Sequence, residues 1–315
     1  MDFGRAVSVQ VKKLQHFSIS DVPCTVMNSS SASSFVQIHE HLYLALYEET
    51  QATKMAQHTL KTKYLVVPCV NLVEIDVYEN FVPSPLQEIY KFDELANQAS
   101  RRNADLRLVF CAGLNPVVQA RVIFLLGCHM VISLGMDPDM VYTIFQKAEY
   151  IRNKECNGLL EGWWSLQCAK NLGWINFQDP FQLDEGGDEM IRMDEYLHYC
   201  SPINGSIHPL IPGRVLLFES TDDDLGHGRM WADKDGRRCF SSAFHADLLA
   251  HLGAAAVVSF DDPDDDPDNA RGAAFAAAGI SYCALGDGGG AGANRPLSLQ
   301  TLDRFVSLVA GCPGL

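Results

Sequence analysis

Residues 109–121, "VFCAGLNPVVQAR", decide the fold. The apolar run "LRLVFCAG" is continuous rather than alternating, which is the pattern of a strand covered on both faces. A cysteine stands near its end, a loop of small residues follows, and an apolar helix begins at about residue 117 and runs to 134. A strand–loop–helix corner of this kind aims backbone N–H groups at an anion, and the helix N-terminus lowers the pKa of a nearby thiol. Whether Cys111 is a nucleophile is therefore the first question.

Outward from that corner, strands and helices alternate. Strands are expected in "FVQIHEHLYLALY" and "KYLVVPCV", and a helix in "SPLQEIYKFDELANQAS", where Pro85 is tolerated in a first turn. "DPDMVYTIFQKAEYI" opens with Asp137 as N-cap and a proline at the first helical position. "GLLEGWWSLQCAKNLGW" reads as a further helix. From about 176 to 211 the chain turns irregular, rich in Pro, Gly and acids, and reads as a connector. Beyond it, "RVLLF", "AAAVVSF" and "ISYCALGDGG" are strand candidates, interleaved with helices in "FSSAFHADLLAHLG", "ARGAAFAAAGI" and "SLQTLDRFVSLVAG". The reading is α/β throughout, in four parts: a polar tail over 1–34, a first domain over 35–180, a connector over 181–211 and a second domain over 212–315.

The 315 residues suffice for two cores, and 47% apolar with 20% charged residues is a globular composition. A net charge of -15 argues against nucleic acid and suits a basic ligand. The ten cysteines form no CxxC pair, which fits reduced thiols inside a cell. The N-terminus lacks the apolar core of a signal peptide. The longest apolar run, 122–136, is short for a bilayer and contains His129 and Ser133, so it reads as a buried helix.

Several motifs invite chemistry. A cysteine that attacks phosphorus needs C-x5-R, with the guanidinium holding the phosphoryl oxygens bidentately. Counting from Cys111 reaches Val117 where the arginine is required, and Pro116 removes a donor. Cys111 is read as structural. Cys239 has no arginine at its sixth position, Cys312 lies three residues from the end, and C-x5-R occurs nowhere in the sequence. His39 and His41 in "HEHLY" are expected on one face of a strand, a spacing that can bind a metal, but no third ligand is evident and a surface strand end is the preferred reading. "DDPDDDPD" (261–268) lacks the glycine and terminal glutamate of an EF-hand and reads as a solvated loop. "GDGGGAGA" (286–293) lacks the Lys-Ser/Thr of a P-loop and reads as a flexible loop.

Taken together, "YENFVPSPLQEIYKF", "LVFCAGLNPVVQARVIFLLGCHMVISLGMDPDMVY", "GWINFQDPFQLDE", "DEYLHY" and "LIPGRVLLF" resemble, in that order, the cell-division-cycle fourteen family of dual-specificity phosphatases. The likeness covers roughly residues 38–220 and continues more faintly beyond. It implies two dual-specificity-phosphatase-like domains in tandem, the first having lost its catalytic loop and the second carrying the chemistry. Matching "ALGDGGGAGANRPLSLQTLDRFVSL" to the family's general-acid loop places Asp287 as the acid that protonates the leaving group. The strand carrying the nucleophilic Cys and Arg should follow "VAGCPGL", where the sequence stops, so the second domain is expected to be truncated and the chain inactive as it stands. "SFDDPDDDPDNAR" and "GGDEMIRM" depart from the family pattern. The resemblance further implies phosphoprotein partners with phospho-Ser-Pro sites near basic residues, no metal or organic cofactor, and placement in nucleus or cytoplasm, at centrosome or spindle. The rival expectation is a pseudophosphatase that docks partners through its first domain.

Overall fold

The structure, a computed structural model, describes residues 25–27, 36–46, 64–69, 84–113, 115–148, 158–177, 190–219, 221–225, 228–234, 237–260, 270–286 and 298–311. The chain divides after Gln182 into two units.

Unit 1 is built on a five-stranded sheet: β1 (Thr25–Met27), β2 (Val36–His39), β3 (Leu42–Leu46), β4 (Tyr64–Pro68) and β5 (Arg107–Ala112). The order across the sheet is β1-β4-β5-β3-β2, with β5 at the centre. It pairs in parallel with β4 through Leu65↔Leu108 and Val66↔Val109, and with β3 through Leu44↔Phe110 and Ala45↔Cys111. After Arg107 every residue of β5 is buried, which is why its sequence shows no alternation. The tail expected over 1–34 contributes β1, which runs antiparallel to β4 at the sheet edge. Its Thr-Val-Met sequence suits a strand better than the polar residues around it.

Four helices follow: α1 (Leu86–Arg102), α2 (Pro116–Ile132), α3 (Pro138–Lys147) and α4 (Leu159–Asn171). The other three pack against α2. Thirteen of its residues are buried, so it is apolar on all sides rather than along one stripe, as a helix enclosed by others must be. Two glycines set the α2–α4 approach. A β-carbon on Gly127 would fall on the indole of Trp163, and one on Gly162 would meet Phe124 Cε2 at 2.6 Å. The fully buried Trp163 donates its indole N–H to the Phe124 carbonyl at 2.9 Å. At the far end of α2, Lys170 Nζ donates to the carbonyls of Ile132 at 2.7 Å and Val131 at 3.3 Å, placing a cation on the negative end of the helix dipole.

Unit 2 has α5 (Met193–Tyr199), a 3-10 turn at Pro202–Asn204, the hairpins β6 (His208–Ile211)–β7 (Val215–Leu217) and β8 (Trp231–Lys234)–β9 (Arg237–Phe240), then α6 (Ser242–His251), β10 (Ala256–Ser259), α7 (Ala270–Ala277), β11 (Ser281–Ala284) and α8 (Leu299–Gly311). β10 and β11 are parallel, with α7 as the crossover. Ala246 and Leu249 of α6, Val257, Phe275 and Ile280 form the core beneath them. The irregular connector expected over 181–211 holds α5 and β6 among its described residues. Its prolines and glycines flank these elements rather than interrupt them, apart from Pro209 in the short β6.

Candidate functional site

Cys111 is the last residue but one of β5, at the carboxyl edge of a parallel arrangement, between β4 and β3. That is where open α/β sheets place their ligands, since the strand order turns there and the helix N-termini converge. The position fits a catalytic loop. Its chemistry does not.

The thiol is 1% exposed, and burial pushes its pKa up to about 12. At neutral pH the thiolate fraction is then on the order of one in 10⁵. Cys69 follows β4 beside it, its N–H donating to the Cys111 carbonyl at 2.9 Å. Burial, reinforced by the neighbouring Cys111, raises the Cys69 thiol well above its ordinary value too. Neither sulfur is a nucleophile in this state.

The start of α2 is equally committed. Asn115 Oδ1 accepts from the amides of Val117 (2.9 Å) and Val118 (3.4 Å), and Gln119 N–H donates to the Asn115 carbonyl at 2.9 Å. Pro116 has no N–H to give. Every donor of the first helical turn is thereby spent within the protein, leaving none to cradle a phosphoryl group. Arg121, one turn further along α2, lies 4.0 Å from Glu88 of α1.

The expected pairing of His39 with His41 on one strand face is corrected. His39 ends β2, while His41 lies in the turn before β3, and the His41 carbonyl accepts from Leu108 N–H at 2.7 Å. The apolar alternation of "FVQIHEHLYLALY" belongs to two antiparallel strands joined by Glu40–His41. Among the described residues no group of three His, Cys, Asp or Glu is placed to hold a metal ion. Asp287, the acidic run 261–268 and nearly all of the Gly-rich loop lie outside the described residues, as does Cys312. Cys239 is a half-buried residue of β9.

A polar cluster that sequence reasoning missed joins α1 to the end of α2. Asp93 Oδ1 pairs with His129 Nδ1 at 2.7 Å and accepts from Ser133 Oγ at 2.8 Å. Asn97 Nδ2 donates to Asp93 Oδ2 and to Ser133 Oγ, both at 2.9 Å. These residue types make hydrolase triads, but a triad needs the hydroxyl on the imidazole, whereas here it donates to the carboxylate. The cluster is a clamp. Its sequence signal was an aspartate on the apolar face of α1 and a histidine inside the apolar run of α2.

Comparison with known proteins now bears on this corner. Residues 36–157 match the family described as dual specificity protein phosphatase, N-terminal half. These residues are similar to a dual-specificity phosphatase N-terminal half. Among relatives, human dual specificity protein phosphatase CDC14C is 30% identical over 152 residues, covering 44% of this chain and 32% of its own length. The CDC14C of Symphalangus syndactylus is likewise 30% identical over 152 residues, at 44% and 29% coverage. Mouse dual specificity protein phosphatase CDC14B is 29% identical over 153 residues, at 45% and 29% coverage. The chain thus spans about a third of the length of the curated relatives it matches. The CDC14-like half includes β5, Cys111 and the capped start of α2, so the corner without catalytic groups lies inside the matched domain.

Proposed function

We infer that unit 1 is the non-catalytic half of a dual-specificity phosphoprotein phosphatase acting in cell-cycle control, and that these 315 residues on their own do not hydrolyse phosphoesters. The observation that carries this reading is the closed start of α2: Asn115 occupies the amides that a phosphate would need, Pro116 lacks one, and Val117 stands where the arginine is required. A buried thiol with its pKa near 12 completes the argument. The domain then serves as a rigid platform that docks phosphoprotein partners. The family likeness suggests phospho-Ser-Pro segments with nearby basic residues, which the net charge of -15 favours electrostatically. Tandem arrangement with a catalytic second half, and Asp287 as its general acid, belong to the same proposal.

The test uses the 315-residue protein with a phospho-Ser-Pro peptide bearing lysine nearby. No phosphate release above background is expected, with Cys111→Ser indistinguishable from the parent. Thiol-dependent release abolished by Cys111→Ser would overturn the reading. Intact-mass measurement of the natural protein, captured through unit 1, tells whether residues bearing C-x5-R accompany this half in the cell.

A further inference from the structure

His245 of α6 is 1% exposed, yet neither ring nitrogen completes a hydrogen bond. Its ring stacks on Phe218 with centroids 4.7 Å apart and planes 25° from parallel. Phe240 of β9 and Phe244 of α6 meet it edge-on at 5.8 Å and 5.4 Å. The imidazole thus joins α6, β9 and the residue after β7 through aromatic contacts, beside a small cleft of about 40 Å³ that also reaches Gly205, Glu219, Asp222, Arg238 and Cys239. A neutral ring suits this cage. A cationic one would lose its hydration, and the Phe218 face stacked on it returns only part of that loss.

We propose that His245 is a proton-operated latch: neutral, it holds α6 against β9 and the Gly205 turn, and on protonation it leaves the cage and loosens them. This inference is independent of the phosphatase reading. The charged groups facing the ring come from several elements. Glu219 after β7 and Asp223 before β8 favour the cation, as do backbone groups of Gly205 and Ser241, while burial opposes it and prevails, so the ring's pKa is lowered. Asp223 is already engaged, accepting from Ser242 N–H (2.8 Å) and Oγ (2.7 Å) with Arg271 3.9 Å away. Asp222 is held by Lys234 at 2.7 Å, and Arg238 by Asp233 at 3.0 Å. His208 of β6, whose pKa burial also lowers, shares the field of Glu219 and bonds Tyr196 Oη at 3.3 Å.

The sign follows from proton linkage. An open state exposes a ring with an ordinary pKa of about 6.5, whereas the closed state binds the proton less readily. Stability of the closed state is therefore full above about pH 6.5 and is lost as pH falls below it, by up to about tenfold in the closed-to-open ratio per pH unit.

Hydrogen exchange of the full 315-residue chain, corrected for intrinsic rates, reads this directly. Amides of α6 should lose about tenfold in protection between pH 7 and pH 5.5, while His245→Phe, which keeps an aromatic ring but cannot take a proton, should show no such loss. An equal loss in His245→Phe would place the switch elsewhere, His208 included, and overturn the proposal. Should that variant not fold, the His245 Hε1 resonance of the unaltered chain decides. A midpoint below about 6.5 that coincides with loss of α6 protection supports the latch. A midpoint at or above it, or titration with α6 protection unchanged, refutes it.

Discussion

Asp93 shows how much a single buried carboxylate carries. It accepts hydrogen bonds from Ser133 and Asn97 and pairs with His129, all within a few ångströms of the core. Replacing it with alanine leaves His129 Nδ1 and the Ser133 hydroxyl without their acceptor, Asn97 keeping only Ser133 Oγ, and we expect Asp93→Ala to cost about 3 kcal/mol in urea unfolding of unit 1. Asp93→Asn keeps an acceptor oxygen and should lose less. A cost under about 0.5 kcal/mol for the alanine variant would show that the cluster is incidental. At this scale the sequence was unevenly legible. Cys111 could be judged from the strand, the proline and the missing arginine, because those signals are local. Asp93 could not, because its partners lie 36 and 40 positions away, and only folding brings them together. His245 was hidden for the same reason: its cage is assembled from α6, β9 and the end of a distant hairpin.

Among elements, the α2–α4 crossing is a close contact with no room for an added methyl at either glycine. Gly127 and Gly162 let the two helices approach until Trp163 lies against the α2 backbone. Gly127→Ala would gain helix propensity worth about 1 kcal/mol, but its methyl group has no room beside the indole. We expect a net loss of about 2 kcal/mol, read as a lower urea midpoint with red-shifted tryptophan emission. An unchanged or raised midpoint would mean that the indole yields freely. Element boundaries were legible where capping chemistry marks them: Asp137 does cap α3, accepting from Asp139 and Met140 N–H, with Pro138 next. They were illegible where no such marker stands. The β2–β3 turn uses Glu40 and His41, which carry no turn signature, so one strand was read through two. Proline and glycine misled in the other direction around α5, where they punctuate a helix and a hairpin that composition had merged into a connector.

For the whole molecule, the two units differ in how they are held. Unit 1 has a five-stranded sheet backed by an enclosed helix, whereas each described sheet of unit 2 has two strands, an arrangement of marginal stability that leans on its helices. Limited chymotrypsin digestion should therefore cut from about residue 212 onward while leaving a fragment near 36–177 intact. Survival of the full chain at protease levels that spare unit 1 would count against this ranking. The α/β character of both halves was readable from alternation alone, but the number of strands gathered into each sheet was not, since pairing partners leave no mark on a single sequence. One consequence reaches beyond stability. Helix α2 is stoppered at both ends by side chains, Asn115 at one and Lys170 at the other. Installing an arginine at position 117 would not turn this corner into an enzyme, because the guanidinium would arrive at a helix mouth already shut. An anion site here would require freeing the amides held by Asn115, replacing Pro116 and admitting solvent to Cys111 together. The obstacles share one strand–loop–helix corner, so removing any one of them leaves the others in place.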